Sequence, residues 1–204
     1  MAITLMVAIA LPLLLPPKFS LGPDWIISVI EAVLLVTLTV ADPGRIDRRS
    51  ALIRAFSLAL VGVLVAGAAA FTVHLVVDLI RGGPETHSPA QLLRVGSIAW
   101  LYMIIAFSFL YWELDGGGPE ARSRARPEFP DLAFPEHLNP RIARPNWRPE
   151  FFDYLYLAFT DATALSPTDV MPVARWAKLA MAVQATACLV VLGLVIARAV
   201  NILK

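Results

Sequence analysis

The stretch FTDATALSPTDVMP at positions 159–172 decides how this chain is organised, because it joins a short apolar segment to the last hydrophobic run. The segment before it, at 151–160, is aromatic and apolar but too short to cross a hydrocarbon core of roughly 30 Å. The run after it, at about 175–203, is long enough to cross. Non-helical backbone is tolerated at membrane depth only where it is buried in protein or lines a wet cavity. The stretch therefore predicts a re-entrant helix and loop before the last span.

This part of the chain resembles the pore loop of potassium channels. In that family a pore helix ends in Thr-Ala-Thr-Thr and runs into a Val-Gly-Tyr-Gly-Asp filter. A Leu-Tyr-Pro-Val turn and an inner helix that opens with Trp-Gly-Arg-Leu follow the filter. In the same register and without a gap, this chain has Lys178 in place of the arginine and identities at Ala162, Thr163, Asp169, Pro172, Val173, Trp176 and Leu179. The resemblance covers about the last quarter of the chain. It implies a homotetramer around an ion pathway that is formed by Thr163, Ala164, Leu165, Ser166, Pro167, Thr168 and Asp169.

The chain departs from the family pattern at Ser166, Pro167 and Thr168, where potassium channels have Gly-Tyr-Gly. Glycine allows the backbone angles that turn successive carbonyl oxygens towards the ion, and proline fixes φ near −65°. We therefore expect a short ring of hydroxyls from Thr163, Ser166 and Thr168, with Asp169 at one mouth. Such a ring predicts a cation pathway that discriminates poorly between potassium and sodium.

The same letters also fit a plain helix start, with Ser166 as N-cap, Pro167 at the first helical position and Asp169 at the third. In this alternative the stretch is the turn of a helical hairpin. Asp169 then only caps the turn and does not face an ion pathway.

Composition places the whole chain in a membrane. Of its 204 residues 58% are hydrophobic and 16% charged, and the mean hydropathy is +0.69, which is too apolar for a soluble domain of this size. The net charge is +1 with scattered basic residues, so nothing indicates a nucleic-acid partner. We expect an all-α integral membrane protein whose partners are the bilayer and copies of itself, in the inner (plasma) membrane of a bacterium.

Hydrophobic runs predict about five spans, at 3–17, 25–41, 51–80, 92–112 and 175–203. The predicted organisation is four spans in 1–114, a Pro/Arg-rich extramembrane loop in 115–150, and the re-entrant segment with the last span in 151–204. This plan also resembles that of uncharacterised bacterial five-span membrane proteins whose last quarter carries a similar Phe-Thr…Ser-Asp motif. That second resemblance implies no activity.

Polar residues inside the predicted spans are candidate functional groups, because polar and charged groups are costly in hydrocarbon. Glu31, in the second span, is either an ion-pathway or proton-relay carboxylate or a buried, neutral group at a helix contact. Gln184 lies in the last span, which the resemblance makes the pore-lining helix. His74 and Asp78 lie four residues apart on one helix face, which favours an interfacial pair over a proton-sensing or metal role.

The 115–150 segment has no helical or strand period and predicts an extended, solvated loop. Its Asp131, Glu136 and His137 have side chains that can bind a divalent ion, but their spacing matches no known site. We expect no bound cofactor or metal, and monovalent cations only as permeants. The short basic turn at 42–50 favours a cytoplasmic location for the amino terminus and the 115–150 loop, opposite to the orientation of potassium channels.

The function predicted from these observations is that of a tetrameric cation channel. The alternative is a non-conducting membrane protein that keeps the pore-loop shape for assembly or partner binding. An enzyme is not expected, because no Ser-His-Asp set, phosphate-binding loop or zinc-protease motif is present, and the histidines at 74, 87 and 137 show no convergence.

Overall fold

The computed structural model describes residues 51–82, 88–124, 130–139, 141–163 and 169–202, together with Thr4, Met6, Val7, Ala10 and Leu11 in helical conformation. Six helices and two short strands follow one another in this part of the chain. The helices are α1 (Ala51–Arg81), α2 (Pro89–Leu114), α3 (Pro119–Arg124), α4 (Pro135–Leu138), α5 (Phe151–Thr163) and α6 (Arg175–Ile202). The strands are β1 (Leu132–Ala133) and β2 (Met171–Pro172), and a 3-10 turn (Asp115–Gly117) follows α2.

Three of these helices, α1, α2 and α6, are long and apolar enough to cross a membrane. They match the predicted third, fourth and last spans within a few residues, which supports an all-α membrane protein. The predicted spans at 3–17 and 25–41 lie almost entirely outside the described residues. Glu31 also lies outside them.

The three long helices alternate in direction. Ser57, near the start of α1, donates a hydrogen bond to Glu113 at the end of α2. Gly96, near the start of α2, lies against Val195 near the end of α6. Helices α1 and α6 therefore run parallel to each other and antiparallel to α2. We call the end of the bundle near Glu113 the cap end, and the described residues of 115–150 the cap.

Among the long helices that the structure describes, α2 is central and α6 is peripheral. Within the most apolar 18-residue stretch of each helix, 72% of the residues are buried in α2 but only 22% in α6. The buried residues of α6 are spaced alternately by four and three and form one narrow seam, as in a coiled coil: Ala177, Met181, Gln184, Cys188, Val191 and Val195. The rest of α6 is apolar and uncovered by the described part of the subunit.

Glycines end two of the long helices. Gly82 follows α1 with φ +69°, the left-handed conformation that commonly closes a helix. Gly118 follows the 3-10 turn after α2 with φ +97°. A Cβ at Gly118 would lie 2.7 Å from Arg54 Nη1 and 3.1 Å from the Glu113 carbonyl oxygen. Only glycine fits there, and the chain can turn from α2 into the cap.

The cap differs from the extended loop that its composition predicts. It contains α3, β1 and α4, and its Leu132, Ala133 and Phe134 are buried. The reason is physical: tertiary contacts between aromatic rings and hydrogen bonds to two carboxylates hold it together, and neither produces a periodic sequence pattern.

Candidate functional site

Helix α5 begins at the cap end. The N–H of Glu150 donates to the Asp153 carboxylate at 2.6 Å, while the Asp153 N–H donates to the Glu150 carbonyl at 3.0 Å, so the two residues cap the helix reciprocally. Burial raises the pKa of Asp153, and the hydrogen bond from Glu150 opposes that rise. The Phe151 ring packs on Phe109 and Trp112 of α2, with centroid distances of 4.7 and 5.9 Å.

Helix α5 ends near the middle of α2. Trp100 lies eleven residues after Pro89, the first residue of α2, and its ring meets Phe159 edge to face at 5.7 Å. The Trp100 indole N–H also donates to the Ala162 carbonyl at 3.4 Å. Because Phe151 contacts Trp112 and Ala162 contacts Trp100, α5 runs along α2 from the cap end towards its centre.

A buried glutamine joins all three helices around this segment. Gln184 is fully buried, accepts a hydrogen bond from the Tyr111 hydroxyl at 2.7 Å, and donates one to the Ala158 carbonyl at 2.7 Å. The structure therefore places Gln184 of α6 against α2 and α5, on the inner seam of its own subunit. Its role in this arrangement is to tie α5 to α6.

After α5 the chain returns to the cap end. Strand β2 pairs with β1 in antiparallel fashion, with Pro172 opposite Leu132 and Met171 opposite Ala133. The N–H groups of Val173 and Ala174 both donate to the Asp131 carbonyl, at 2.9 and 3.2 Å. The segment that leads into α6 is thus held on the cap by backbone hydrogen bonds.

Two carboxylates fix the cap to the helices. Asp115 is buried and accepts hydrogen bonds from the Tyr154 hydroxyl at 2.6 Å and the Leu132 N–H at 3.1 Å. Asp131 accepts one from the Gly116 N–H at 2.9 Å. Asp115 therefore links α2, α5 and β1. Sequence reasoning missed its role because a lone aspartate before a glycine run is typical of any turn.

A buried arginine completes this network. Arg122 of α3 lies over the rings of Trp112 and Tyr154, at 4.7 and 5.1 Å from their centroids. It also donates to the Asp115 carbonyl oxygen. These cation–π contacts hold α3 over the start of α5, and they are stronger in a desolvated site than at the surface.

Asp131, Glu136 and His137, the three candidate metal ligands, have different surroundings in the structure. Asp131 bonds the Gly116 N–H, and the His137 ring packs against Phe134 and Trp147 at 5.8 and 5.3 Å. Glu136 lies on α4 beside a surface cavity. The part of the chain that the structure describes contains no group of three His, Cys, Asp or Glu side chains able to hold a metal.

Of the predicted ion-pathway residues, Thr163 and Asp169 are described, whereas Ala164, Leu165, Ser166, Pro167 and Thr168 lie outside the described residues. Thr163 ends α5, is half-buried, and donates its hydroxyl hydrogen to the Thr160 carbonyl at 2.8 Å. The Asp169 side chain is exposed.

The alternative helix start requires Asp169 at the third helical position, and the structure contradicts that part of it. Asp169 and Val170 form a bend, strand β2 follows, and α6 begins only at Arg175. The extended pairing with β1 competes successfully with the local N-cap signal. Asp169 therefore does not occupy the third position of a helix.

Three further polar residues lie in helices α5 and α1. Asp161 of α5 is half-buried, and its buried Oδ2 has no hydrogen-bond partner among the described residues. On α1, Asp78 is buried and His74 is half-buried. None of these three residues belongs to the hydrogen-bond network of Asp115 and Asp131 in the cap.

Comparisons of the chain with protein-family models, curated proteins and solved structures give no match.

Proposed function

We propose that the chain is one subunit of a fourfold assembly, in a bacterial inner membrane, that passes cations along its central axis with little discrimination between potassium and sodium. The observation that carries this proposal is the path of residues 151–175. Helix α5 runs from the cap end to the middle of an apolar helix, and the chain is back at the cap end by β2. With α2 across a membrane, the positions of α5 and β2 support a re-entrant segment ahead of an inner helix.

The uncovered face of α6 supports an oligomer. Small residues lie on the exposed side of α6 at spacings of four, seven and four, on the side opposite the buried seam: Ala182, Thr186, Gly193 and Ala197. In membranes, small residues at such spacings let helix backbones approach closely. In a fourfold assembly this face would meet the α6 helices of the other subunits around the axis.

The charge at the return point supports cations as the permeant class. Asp169 is exposed, and its carboxylate makes no hydrogen bond or ion pair with other described residues. Four such carboxylates around an axis would concentrate cations and repel anions. Ser166, Pro167 and Thr168 lack the glycines that a stacked carbonyl filter needs, so hydroxyls coordinate partly hydrated ions.

The proposal is tested by measuring cation flux into liposomes that contain the purified protein, together with its subunit number by cross-linking or particle images. We expect a fourfold particle and a flux that scales with the protein content. A fourfold particle without flux would favour the alternative, in which the pore-loop shape serves assembly only. A monomer, or a dimer without a shared axis, would refute both.

One substitution separates an α6 interface from a lipid-facing helix. A Cβ at Gly193 meets no described atom within 4 Å, so we expect Gly193→Leu to be tolerated by the described part of the subunit. We expect Gly193→Leu to dissociate the oligomer, because the added side chain holds the α6 helices apart. The control is Leu192→Phe, which adds bulk on the exposed flank of the same helix. Equal oligomer content in both variants would contradict the arrangement.

A further inference from the structure

A surface cavity of about 480 Å³ lies in the cap, outside the re-entrant segment. Its lining includes Glu136 of α4 together with Arg144, Asn146, Trp147 and Arg148. Pockets of about 300–1,000 Å³ are the usual size for small ligands. This cavity is large enough for a polar headgroup.

The walls of the cavity are fixed by packing. The Trp147 N–H donates to the Arg144 carbonyl at 3.0 Å and closes a tight turn, in which Asn146 adopts φ +60°. The Trp147 ring packs on Phe134 and His137 at 5.9 and 5.3 Å, which joins the turn to α4. The cavity is therefore part of the folded cap.

Arg148 is held in place from the side of α3. Its Nη1 donates to the carbonyls of Arg122 and Ser123, at 3.2 and 2.6 Å. Arg148 is also one of the residues that line the cavity. Arg144 is exposed, and its side chain makes no hydrogen bond or ion pair with other described residues. Two guanidinium groups at one cavity suit a phosphate, which arginine binds in bidentate fashion.

Glu136 adds a negative charge to the lining of the cavity, opposite in sign to the two arginines. The Glu136 carboxylate lies close enough to Asp153 to add to the rise in the Asp153 pKa, of which burial is the larger cause. A ligand that carries both a phosphate and an ammonium group matches this arrangement better than a simple anion does, because Glu136 repels a second negative charge.

The surroundings of the cavity indicate where its ligand comes from. Leu138 and Ile142, which flank the cavity in sequence, are 57% and 63% exposed. Phe152, just after the cap, is 70% exposed. Exposed apolar side chains beside Trp147 and arginines are typical of a membrane interface, where apolar groups enter the acyl region and basic groups meet phosphates.

We infer that the cavity between Glu136 and Arg144 binds the headgroup of an amine-bearing phospholipid, such as phosphatidylethanolamine, from the adjacent leaflet. Arg144 and Arg148 bind the phosphate, and Glu136 binds the ammonium group. Leu138 and Ile142 contact the acyl chains. This site is separate from the proposed ion pathway and does not depend on conduction.

Binding of a short-chain phosphatidylethanolamine to the full-length protein in detergent tests this site, for example by native mass spectrometry. We expect saturable binding, weaker binding of short-chain phosphatidylglycerol, and little competition by inorganic phosphate. Arg144→Gln should weaken binding by roughly tenfold, because one charge-assisted hydrogen bond to the phosphate is lost. Arg141→Gln, an exposed arginine next to the cavity that does not line it, is the matched control.

Glu136→Gln tests the ammonium side independently. This variant should lose the preference for phosphatidylethanolamine over phosphatidylglycerol, because the ammonium group loses its partner. Binding of the lipid phosphate by the arginines should remain. Equal lipid binding by wild type and Arg144→Gln would overturn the site. Full displacement by inorganic phosphate would make the cavity a phosphate site and overturn the lipid assignment. Arg148 is not substituted, because it also holds α3.

Discussion

The side-chain amide of Gln184 donates a hydrogen bond to the Ala158 carbonyl at 2.7 Å, and this contact links the last long helix to the short α5. The same side chain accepts the Tyr111 hydroxyl hydrogen. A polar group on an otherwise apolar helix thus fixes the depth and rotation of α5 against α2 and α6.

Removal of the Tyr111–Gln184 hydrogen bond should destabilise the subunit. We expect Tyr111→Phe and Gln184→Leu each to lower the free energy of unfolding by about 1–3 kcal/mol, because each leaves a buried partner unsatisfied. The double variant should lose less than the sum, with a coupling of about 1 kcal/mol. Thermal unfolding in detergent measures this, with Tyr156→Phe, at an exposed position of α5, as the matched control. Strictly additive losses would contradict the contact.

The pairing of β2 with the cap predicts a specific cross-link. Ala133 and Met171 are direct partners, and such pairs have Cα separations of about 4.5–5.5 Å, within the range for a disulfide. In a Cys188→Ala background, Ala133→Cys with Met171→Cys should oxidise rapidly to an intramolecular disulfide. The control pair, Ala133→Cys with Leu179→Cys, places the second cysteine on an exposed part of α6. Equal oxidation of both pairs would refute the pairing.

The long helices could be predicted from the sequence, because continuous apolar runs have few other structures available in a membrane. The runs at 51–80, 92–112 and 175–203 correspond to α1, α2 and α6. The cap could not be predicted. Asp115, Arg122 and Tyr154 meet only when distant segments pack, and composition carries no trace of such contacts. Gln184 could be selected as an intramembrane polar group, but its direction towards α5 required the structure.

Gly118 should not tolerate a side chain. Gly118→Ala places a Cβ 3.1 Å from the Glu113 carbonyl oxygen at φ +97°, and we expect a loss of about 1–3 kcal/mol in unfolding free energy. Gly62→Ala is the matched control, because no described atom lies within 4 Å of a Cβ there. That control should change stability by no more than about 1 kcal/mol, in the stabilising direction. A similar loss in both variants would contradict the close contacts described at Gly118.

The orientation of the chain can be tested with single cysteines. Arg54 donates to the Gly117 carbonyl, so the start of α1 and the cap lie at the same end. The short basic turn at 42–50 precedes α1, and the positive-inside rule assigns this end to the cytoplasm. In a Cys188→Ala background, an impermeant thiol reagent should leave Ser123→Cys unlabelled in intact cells and label Lys204→Cys. Labelling of Ser123→Cys in intact cells would instead support the orientation of potassium channels.

Reversal potentials in mixed potassium and sodium salts test the central claim most directly, with purified protein in planar bilayers or liposomes. The account predicts a cation current with a potassium-to-sodium permeability ratio near one, and a smaller current in Asp169→Asn, because the ring of carboxylates that concentrates cations is lost. Lys178→Gln, an exposed substitution on α6, serves as the charge-change control. Strong potassium selectivity, an anion current, or no current from a fourfold particle would contradict the account.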